Sequence, residues 1–360
     1  MISTMNGKKT NSKKRRICVL HGAIRNAGDF LIYERGKKLL GKYLGAEFDF
    51  IYKPRFKEIP ENDYDGIIIL GGPLITRSLH PQSRNIMKFI EKRDIPIICL
   101  GLGISGEKFN SYKSYFEDAF SKNFWKRIYE SSKLFSVRDI ETYNVLKTYQ
   151  INSELTGCPA LYYPRKNEMK KSKKGFDKIL ISIPHIHFYD IKYFLLTIYL
   201  ISSLRSTFDK KELGIAFQHG YNTFPLRILK YLSSIFNAKT YDLSNRSIED
   251  SKELSDYDIH LGTRLHLHIY FLSMNKPSIL LSVDMRTRAF INTISTLHNS
   301  FSFFGVKKVI SILEKDEENI LEYFYNAFKQ IDKFEYTITE FLSNISFFIG
   351  KISKNKENVK

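Results

Sequence analysis

Between Leu254 and Leu313 the sequence contains no glutamate. Cysteine is scarce throughout: Cys18, Cys99 and Cys158 stand far apart, without a C-x-x-C pair. That spacing excludes a disulfide framework and a cysteine-rich zinc module. Cys18 and Cys99 sit inside apolar runs and read as buried free thiols in a reducing compartment. Long hydrophobic runs are also missing. The longest charge-free apolar stretch in the middle of the chain, "YFLLTIYLISSL" at 193–204, has 12 residues, where about 20 are needed to cross a bilayer. No apolar segment follows the basic N-terminus, so no signal peptide is expected, and the expected location is cytoplasmic.

Acid is in short supply overall, and the net charge is +18. The excess is concentrated: residues 1–16 carry +6, residues 165–178 carry +5 and residues 351–360 carry +3. Charge runs of this kind are ordinarily solvated tails and linkers. Peripheral contact with the inner face of an anionic membrane is the next expectation. Nucleic acid is not expected as a partner, because no recognition-helix, RNP or zinc-finger pattern accompanies the charge.

What is present is an alternation of strand-like and helix-like segments. "RICVLHG" (16–22), "DGIIILGG" (65–72), "IPIICLGLG" (95–103) and "KLFSVRD" (133–139) read as strands, three of them with glycine at the carboxyl end. Continuous apolar runs mark strands covered on both faces, as in parallel sheets. The pattern restarts with "DKILISIPH" (177–185), "LGIAFQHG" (213–220), "DYDIHLG" (256–262) and "KPSILLSVD" (276–284). The expected fold class is α/β, with two doubly wound Rossmann-like domains facing a cleft. The expected boundaries are a basic disordered tail over 1–16, a first domain over 17–162 and a basic linker over 163–177. A second domain over 178–312, C-terminal helices over 313–350 and a basic tail over 351–360 complete the division. The helical segment spreads Phe324, Phe328, Phe334 and Phe341 along its length, which suits a helix pair packed on a domain or across the domain boundary, or a membrane-surface helix.

In such folds ligands bind beyond the carboxyl ends of the strands. "HLGTRLHLHIYF" (260–271) places His260, Arg264, His266 and His268 where a strand gives way to an apolar helix. First-turn N–H groups lack intrahelical partners and favour an anion, and Arg264 adds a planar fork suited to phosphate or carboxylate. A protein acid, Asp256 or Asp258, is the other partner open to Arg264. His268 falls one turn inward of Arg264 and reads as a core histidine. The His260, His266 and His268 spacing does not suit a metal site. Arg138 in "SVRD" stands at a strand end, able to reach the cleft or to pair with Asp139. In "RNAGD", Asn26, Gly28 and Asp29 suit a turn and helix cap, while a cleft-facing Asp29 would also suit sugar hydroxyls. Gly71, Gly72, Gly101 and Gly103 permit close approach of a ligand to backbone. "GLGISG" lacks the strand position and the ribose-binding acid of a dinucleotide site.

Taken in order, "NAGD", "LGGPLI", "GLGI", "SVRD", "TGCPAL", "GTRLH", "KPSILLSVD" and "RTRAF" resemble the polysaccharide pyruvyl transferase family over about residues 17–290. The resemblance implies a glycosyltransferase-B-like fold and transfer of a pyruvyl group from phosphoenolpyruvate to two hydroxyls of a sugar, with release of phosphate. The sugar would belong to a cell-surface glycan or its precursor, free, polymeric, lipid-linked or nucleotide-linked. By the same resemblance Arg138, Arg264, Leu265 and His266 hold the donor, and His266 is the general acid. Asn26, Gly28, Asp29 and Gly72 fall on the acceptor side. Neither a cofactor nor a metal is implied, phosphoenolpyruvate being a co-substrate. Many relatives have an acid where Cys158 stands and lack Pro73.

A histidine held near anions is expected to stay protonated near neutral pH. Two other readings remain: a sugar-nucleotide-dependent glycosyltransferase of the same architecture, and a non-catalytic saccharide- or anion-binding protein. The absence of glutamate from 254–313 weighs against the first, since such enzymes often hold the nucleotide or sugar with one there. The presence of Arg138, Arg264 and His266 together weighs against the second.

Overall fold

The structure is a computed structural model that describes residues 14–59, 63–79, 81–91, 95–106, 111–163, 175–187, 189–218 and 220–357. Nearly all of the expected N-terminal tail and most of the expected linker lie outside these residues.

Two parallel six-stranded sheets organise the chain. The first contains β1 (Arg15–His21), β2 (Phe48–Pro54), β3 (Gly66–Ile75), β4 (Ile97–Ile104), β5 (Ser132–Val137) and β6 (Glu154–Leu155), in the order β2-β1-β3-β4-β5-β6. Its helices are α1 (Ala27–Leu44), α2 (Pro81–Glu91), α3 (Ala119–Ser131) and α4 (Ile140–Thr148). The strands alternate as a two-faced sheet requires. Ile17, Val19, Ile68 and Leu70 pack toward α1, while Cys18, Leu20, Ile67 and Ile69 pack into the core on the opposite face. Both faces are covered, which is why these strands are apolar throughout.

The second sheet contains β7 (Lys178–Ser182), β8 (Glu212–Phe217), β9 (Ala238–Asp242), β10 (Ile259–Gly262), β11 (Ser278–Ser282) and β12 (His298–Ser300). Its order, β12-β11-β10-β7-β8-β9, is the dinucleotide-fold order read from the other edge. The helices are α5 (Ile191–Thr207), α6 (Phe224–Ile235), α7 (Leu265–Ser273), α8 (Met285–Thr293) and α9 (Phe303–Lys315). α9 runs through the expected boundary at 312, because Val306, Val309, Ile310 and Leu313 form one continuous buried stripe. α10 (Tyr325–Glu357) extends into the segment expected to be a basic tail and packs back on α1 and α7. Phe328, Ile331, Phe341 and Leu342 form its buried face, while Tyr325 and Tyr336 are exposed.

Strand order reverses at β1/β3 in the first sheet and at β7/β10 in the second. These are the switch points where such folds bind ligands, and in this chain the two are brought together. One tie between the halves is Arg35 of α1, which is fully buried. Its Nε meets Glu249 Oε1 at 2.9 Å, and its Nη1 donates to Ser273 Oγ at 2.7 Å and to the Ala160 carbonyl. Tyr163 and Tyr270 lie within 5.1 and 5.3 Å of the guanidinium carbon. A second tie joins α4 to α8: Ile140 N donates to Thr293 Oγ1 at 2.8 Å, and Asn292 Nδ2 to Glu141 Oε1 at 2.6 Å.

Candidate active site

The first half contributes the loop after β1. Asn26 caps α1, its side-chain oxygen accepting from Gly28 N at 2.9 Å, which satisfies one orphan first-turn donor. At Gly28 a Cβ would lie 2.1 Å from His266 Nδ1. The imidazole from α7 therefore rests on the first turn of α1, and only glycine leaves room for it. Asp29 follows, largely buried. Enclosure raises its carboxyl above the ordinary value, against the opposing pull of Arg55, Arg286 and Arg138.

Arg55, one residue beyond β2, is buried between the two strand-end loops. A Cβ at Gly22 or Gly72 would approach its Nη2 to 2.5 or 2.6 Å. Its Nη1 donates to the carbonyls of Leu70 and Gly71 at 3.2 and 2.9 Å. Gly72, with φ +86°, thus accommodates a guanidinium as well as a turn. Burial pushes Arg55 below its ordinary pKa, and Asp29 opposes that.

Arg138 follows β5 and lies over Gly103, where a Cβ would be 2.0 Å from its Nε. The Asp139 alternative is realised on one side only: Arg138 Nε meets Asp139 Oδ2 at 3.1 Å, and Nη2 donates to the Ile104 carbonyl at 3.3 Å. Arg138 Nη1 is buried with no partner. Asp139 also caps α4 through Thr142 N at 2.8 Å.

In the second half His260 belongs to β10, and Arg264 is the residue that caps α7. Gly262 packs on β7, where a Cβ would sit 2.1 Å from the Ser182 carbonyl. Arg264 donates from Nε to the Ile183 carbonyl at 2.8 Å. Asp258 is engaged elsewhere, accepting from the backbone of Asp177 and Lys178 at 2.8 and 2.9 Å. Among the described residues no carboxylate forms an ion pair with Arg264. Burial and the neighbouring Arg286 lower its pKa to about 10, opposed by Asp284. Asp284 caps α8 through Thr287 N at 3.0 Å and holds Arg286 at 2.6 Å. Leu265 is buried in the main core and anchors α7.

Burial dominates the histidines at this turn. His260 touches Ser278 Oγ at 2.7 Å and Ser182 Oγ at 2.8 Å, and His268 touches Ser278 Oγ at 2.7 Å. Burial lowers His260 to about 3 and His268 well below its ordinary value. Both are neutral core residues. His266 is lowered to about 3 by burial and then by Arg138 and Arg286. Its Nε2 is buried without a partner. The surrounding protein by itself thus favours the neutral imidazole, whereas the protonated state expected above is that of a histidine held near bound anions.

A stability consequence follows. His21, lowered to about 4 by burial and Arg55, joins these three. Unfolded histidines titrate near 6.5, so between that value and about 4 the unfolded chain binds protons that the folded one refuses. The stabilisation is complete above the unfolded pKa and drains away as pH falls, at up to about 2 kcal/mol per histidine at pH 5. The melting temperature is expected to drop steadily from pH 7 to pH 5. A flat profile over that interval would show that these rings are protonated in the native state.

The cleft thus assembles Arg138, Arg264 and Arg286 with His266 and Asp29, and sets Arg55 behind them. Arg55 and Arg286 were not singled out from sequence. Arg286 lies in "SVDMRTR", a strand-end loop that the binding rule marks, whereas Arg55 follows a strand of mixed polarity, "FDFIYKP", whose pattern does not announce it.

The two parallel sheets with their flanking helices define an α/β fold of the glycosyltransferase-B-like type. The chain belongs to the polysaccharide pyruvyl transferase family, whose model matches residues 26–285. No curated protein matches the chain. Among solved structures, it is similar to the S. aureus MnaA–UDP complex, with a TM-score of 0.57 and 12% identity over 93% of this chain and 97% of that one. A putative UDP-N-acetylglucosamine 2-epimerase from Listeria monocytogenes gives a TM-score of 0.57 and 9% identity over 94% and 98% of the two chains. The Methanocaldococcus jannaschii UDP-GlcNAc 2-epimerase gives 0.52 and 12% over 91% and 100%. Identities this low establish a common fold. Among the described residues, no helix is long and apolar enough to cross a membrane.

Proposed function

We propose that the protein transfers the pyruvyl group of phosphoenolpyruvate onto two hydroxyls of a sugar in a cell-surface glycan or its precursor, forming a ketal and releasing phosphate. One observation carries the reading: arginines with unspent donors surround a buried imidazole. Arg138 Nη1 and His266 Nε2 are buried without partners, and Arg138 and Arg286 both act on His266. Buried polar groups are rarely left unpaired unless a ligand or water completes them. A donor carrying a carboxylate and a phosphate supplies acceptors for such guanidinium groups, and Arg264 at the start of α7 adds another fork.

The depressed His266 then has a function. Anions bound among the arginines offset the part of the depression that Arg138 and Arg286 add to the larger effect of burial, and so raise the affinity of the imidazole for a proton. Donor binding thus loads the acid. Protonated His266 gives its proton to the methylene carbon of phosphoenolpyruvate, and positive charge develops at the adjacent carbon. A sugar hydroxyl bonds to that carbon, and its proton passes to Asp29, whose raised pKa makes it the stronger base. The carbon–oxygen bond to phosphate breaks. The second hydroxyl closes the ring, and its proton balances the phosphate that leaves. Arg55 positions the loops at Gly22 and Gly72 on the acceptor side. No step draws on a cofactor.

Calorimetric titration with phosphoenolpyruvate tests the donor. Binding should take up a proton, visible as a heat that depends on the buffer's ionisation enthalpy. Affinity should rise as pH falls through the bound-state pKa of His266, because the complex holds a proton that the free site refuses. Arg264→Ala should weaken binding by roughly tenfold or more. The solved neighbour with UDP motivates the competing donor, a sugar nucleotide. A folded protein that ignores phosphoenolpyruvate and binds UDP would transfer the site to that reading.

A further inference from the structure

We propose that the outer helical face of the second sheet is a docking surface for an anionic lipid bilayer. α5, α6 and α9 share this face. α5 packs on α9, with Tyr199 and Phe303 rings 5.1 Å apart. α5 is tied to the end of α6 by Arg205, which donates to the carbonyls of Phe236 and Asn237 at 2.8 and 2.9 Å. Right-handed crossovers from β7 to β8 and from β8 to β9 place α5 and α6 on one side.

The surface is apolar where solvent-facing helices are ordinarily polar. Phe224, Tyr231 and Ile235 form an exposed stripe along α6. Tyr189, Ile191 and Leu195 do the same at the start of α5. Phe304 on α9 is 76% exposed. Single exposed apolar residues are normal, but large ones repeated at helical spacing on α5 and α6, beside Phe303 and Phe304 at the start of α9, mark an interaction surface.

Charge identifies the occupant. The three helices carry seven Lys and Arg residues against one acid, Glu314. On α9, Lys307, Lys308 and Lys315 line the same shallow depression as Phe304, with Asp316, one residue beyond the helix, the single acid among its lining residues. Aromatic side chains beside lysines are the composition of surfaces that insert rings at the headgroup level while cations meet anionic lipid. A second copy of this chain would bring the same cations against themselves, which works against self-association through this face.

Position strengthens the inference. α5, α6 and α9 each follow a strand, so their first residues lie at the carboxyl edge of the sheet, the edge that borders the cleft. Tyr189, Ile191, Phe224, Phe303 and Phe304 are all at these starts. The β7–α5 loop leads from Ile183, which accepts from Arg264, to Tyr189 at the rim. A bilayer at this rim faces the cleft mouth, an arrangement suited to a sugar carried on a lipid. That last consequence rests on the proposed reaction, whereas the docking does not.

The test is sedimentation of the full chain with vesicles, either neutral phosphatidylcholine or phosphatidylcholine with phosphatidylglycerol, alongside analytical ultracentrifugation without lipid. The wild type should bind the anionic vesicles and not the neutral ones. Phe224→Ser with Phe304→Ser should lower partitioning by roughly tenfold or more, because ring insertion is lost. Lys307→Glu with Lys308→Glu should lower it as well. These residues are exposed, and circular dichroism checks that the variants stay folded. Phosphoenolpyruvate binding should be unchanged in both, which separates this test from that of the reaction. If the Phe224→Ser and Phe304→Ser variant partitions like the wild type, binding belongs to basic segments alone and the proposal is overturned. It is equally overturned if the wild type ignores anionic vesicles, or self-associates through a contact that Phe304→Ser abolishes.

Discussion

His266→Gln is expected to keep phosphoenolpyruvate bound and to lose transfer, with turnover down by about 10²–10⁴-fold. Glutamine fills a similar volume over Gly28 and retains a polar end toward the cleft, but it carries no exchangeable acid. Arg138, Arg264 and Arg286 remain, so the donor's charge is still met. Phosphate release in the presence of an accepted sugar reads turnover, and calorimetry reads binding. The proton taken up on donor binding should vanish in the same variant, and that readout needs no acceptor. Full turnover in His266→Gln would assign the acid to another group, with Asp29 the first to examine.

The largest stability effect is expected at Arg35, away from the chemistry. Arg35→Ala removes bonds to Ala160, Ser273 and Glu249 from a fully buried site at the junction of the halves. Breaking a buried pair ordinarily costs about 3–5 kcal/mol. The low end is expected, because Lys38 stays 2.5 Å from the other Glu249 oxygen. Arg35→Lys should recover little, since an ammonium cannot reach three partners in one plane. Denaturant unfolding checks both variants. A cost below roughly 1 kcal/mol for Arg35→Ala would show that the junction is held by apolar contact alone.

The parts of this architecture legible in the sequence were those with one physical cause. β1, β3, β4, β7, β8, β10 and β11 are covered on both faces or nearly so, and their unbroken apolar runs announce it. β2, β6, β9 and β12 went unrecognised for the converse reason. β2 and β6 are the outermost strands of the first sheet and β9 and β12 those of the second, and their residues are largely half-buried or exposed and mixed in polarity. Arg55 was lost with β2, because nothing marks it as a strand end until the strand is known. The roles of Asn26 and His268 followed from local spacing and hold in the fold. The charge of His266 did not follow, since residue type reports that a ring can titrate while its neighbours decide whether it does. Here burial decides first, and Arg138 after β5 and Arg286 on α8 add to it from the two halves of the chain.

α10 closes the molecule onto α1, and these helices are made at opposite ends of translation. At about 5–20 residues per second, some 15–60 s separate the emergence of α1 from that of α10. During that interval the first sheet has all of its strands, yet α1 lacks the cover that Phe341 and Leu342 belong to. The half of the protein that folds first therefore waits, partly unclad, for the half that is made last. A nascent chain of this design is a natural client for chaperones, and a transcript truncated between β6 and α10 yields a first domain that has every strand of its sheet but not the cover of its surface.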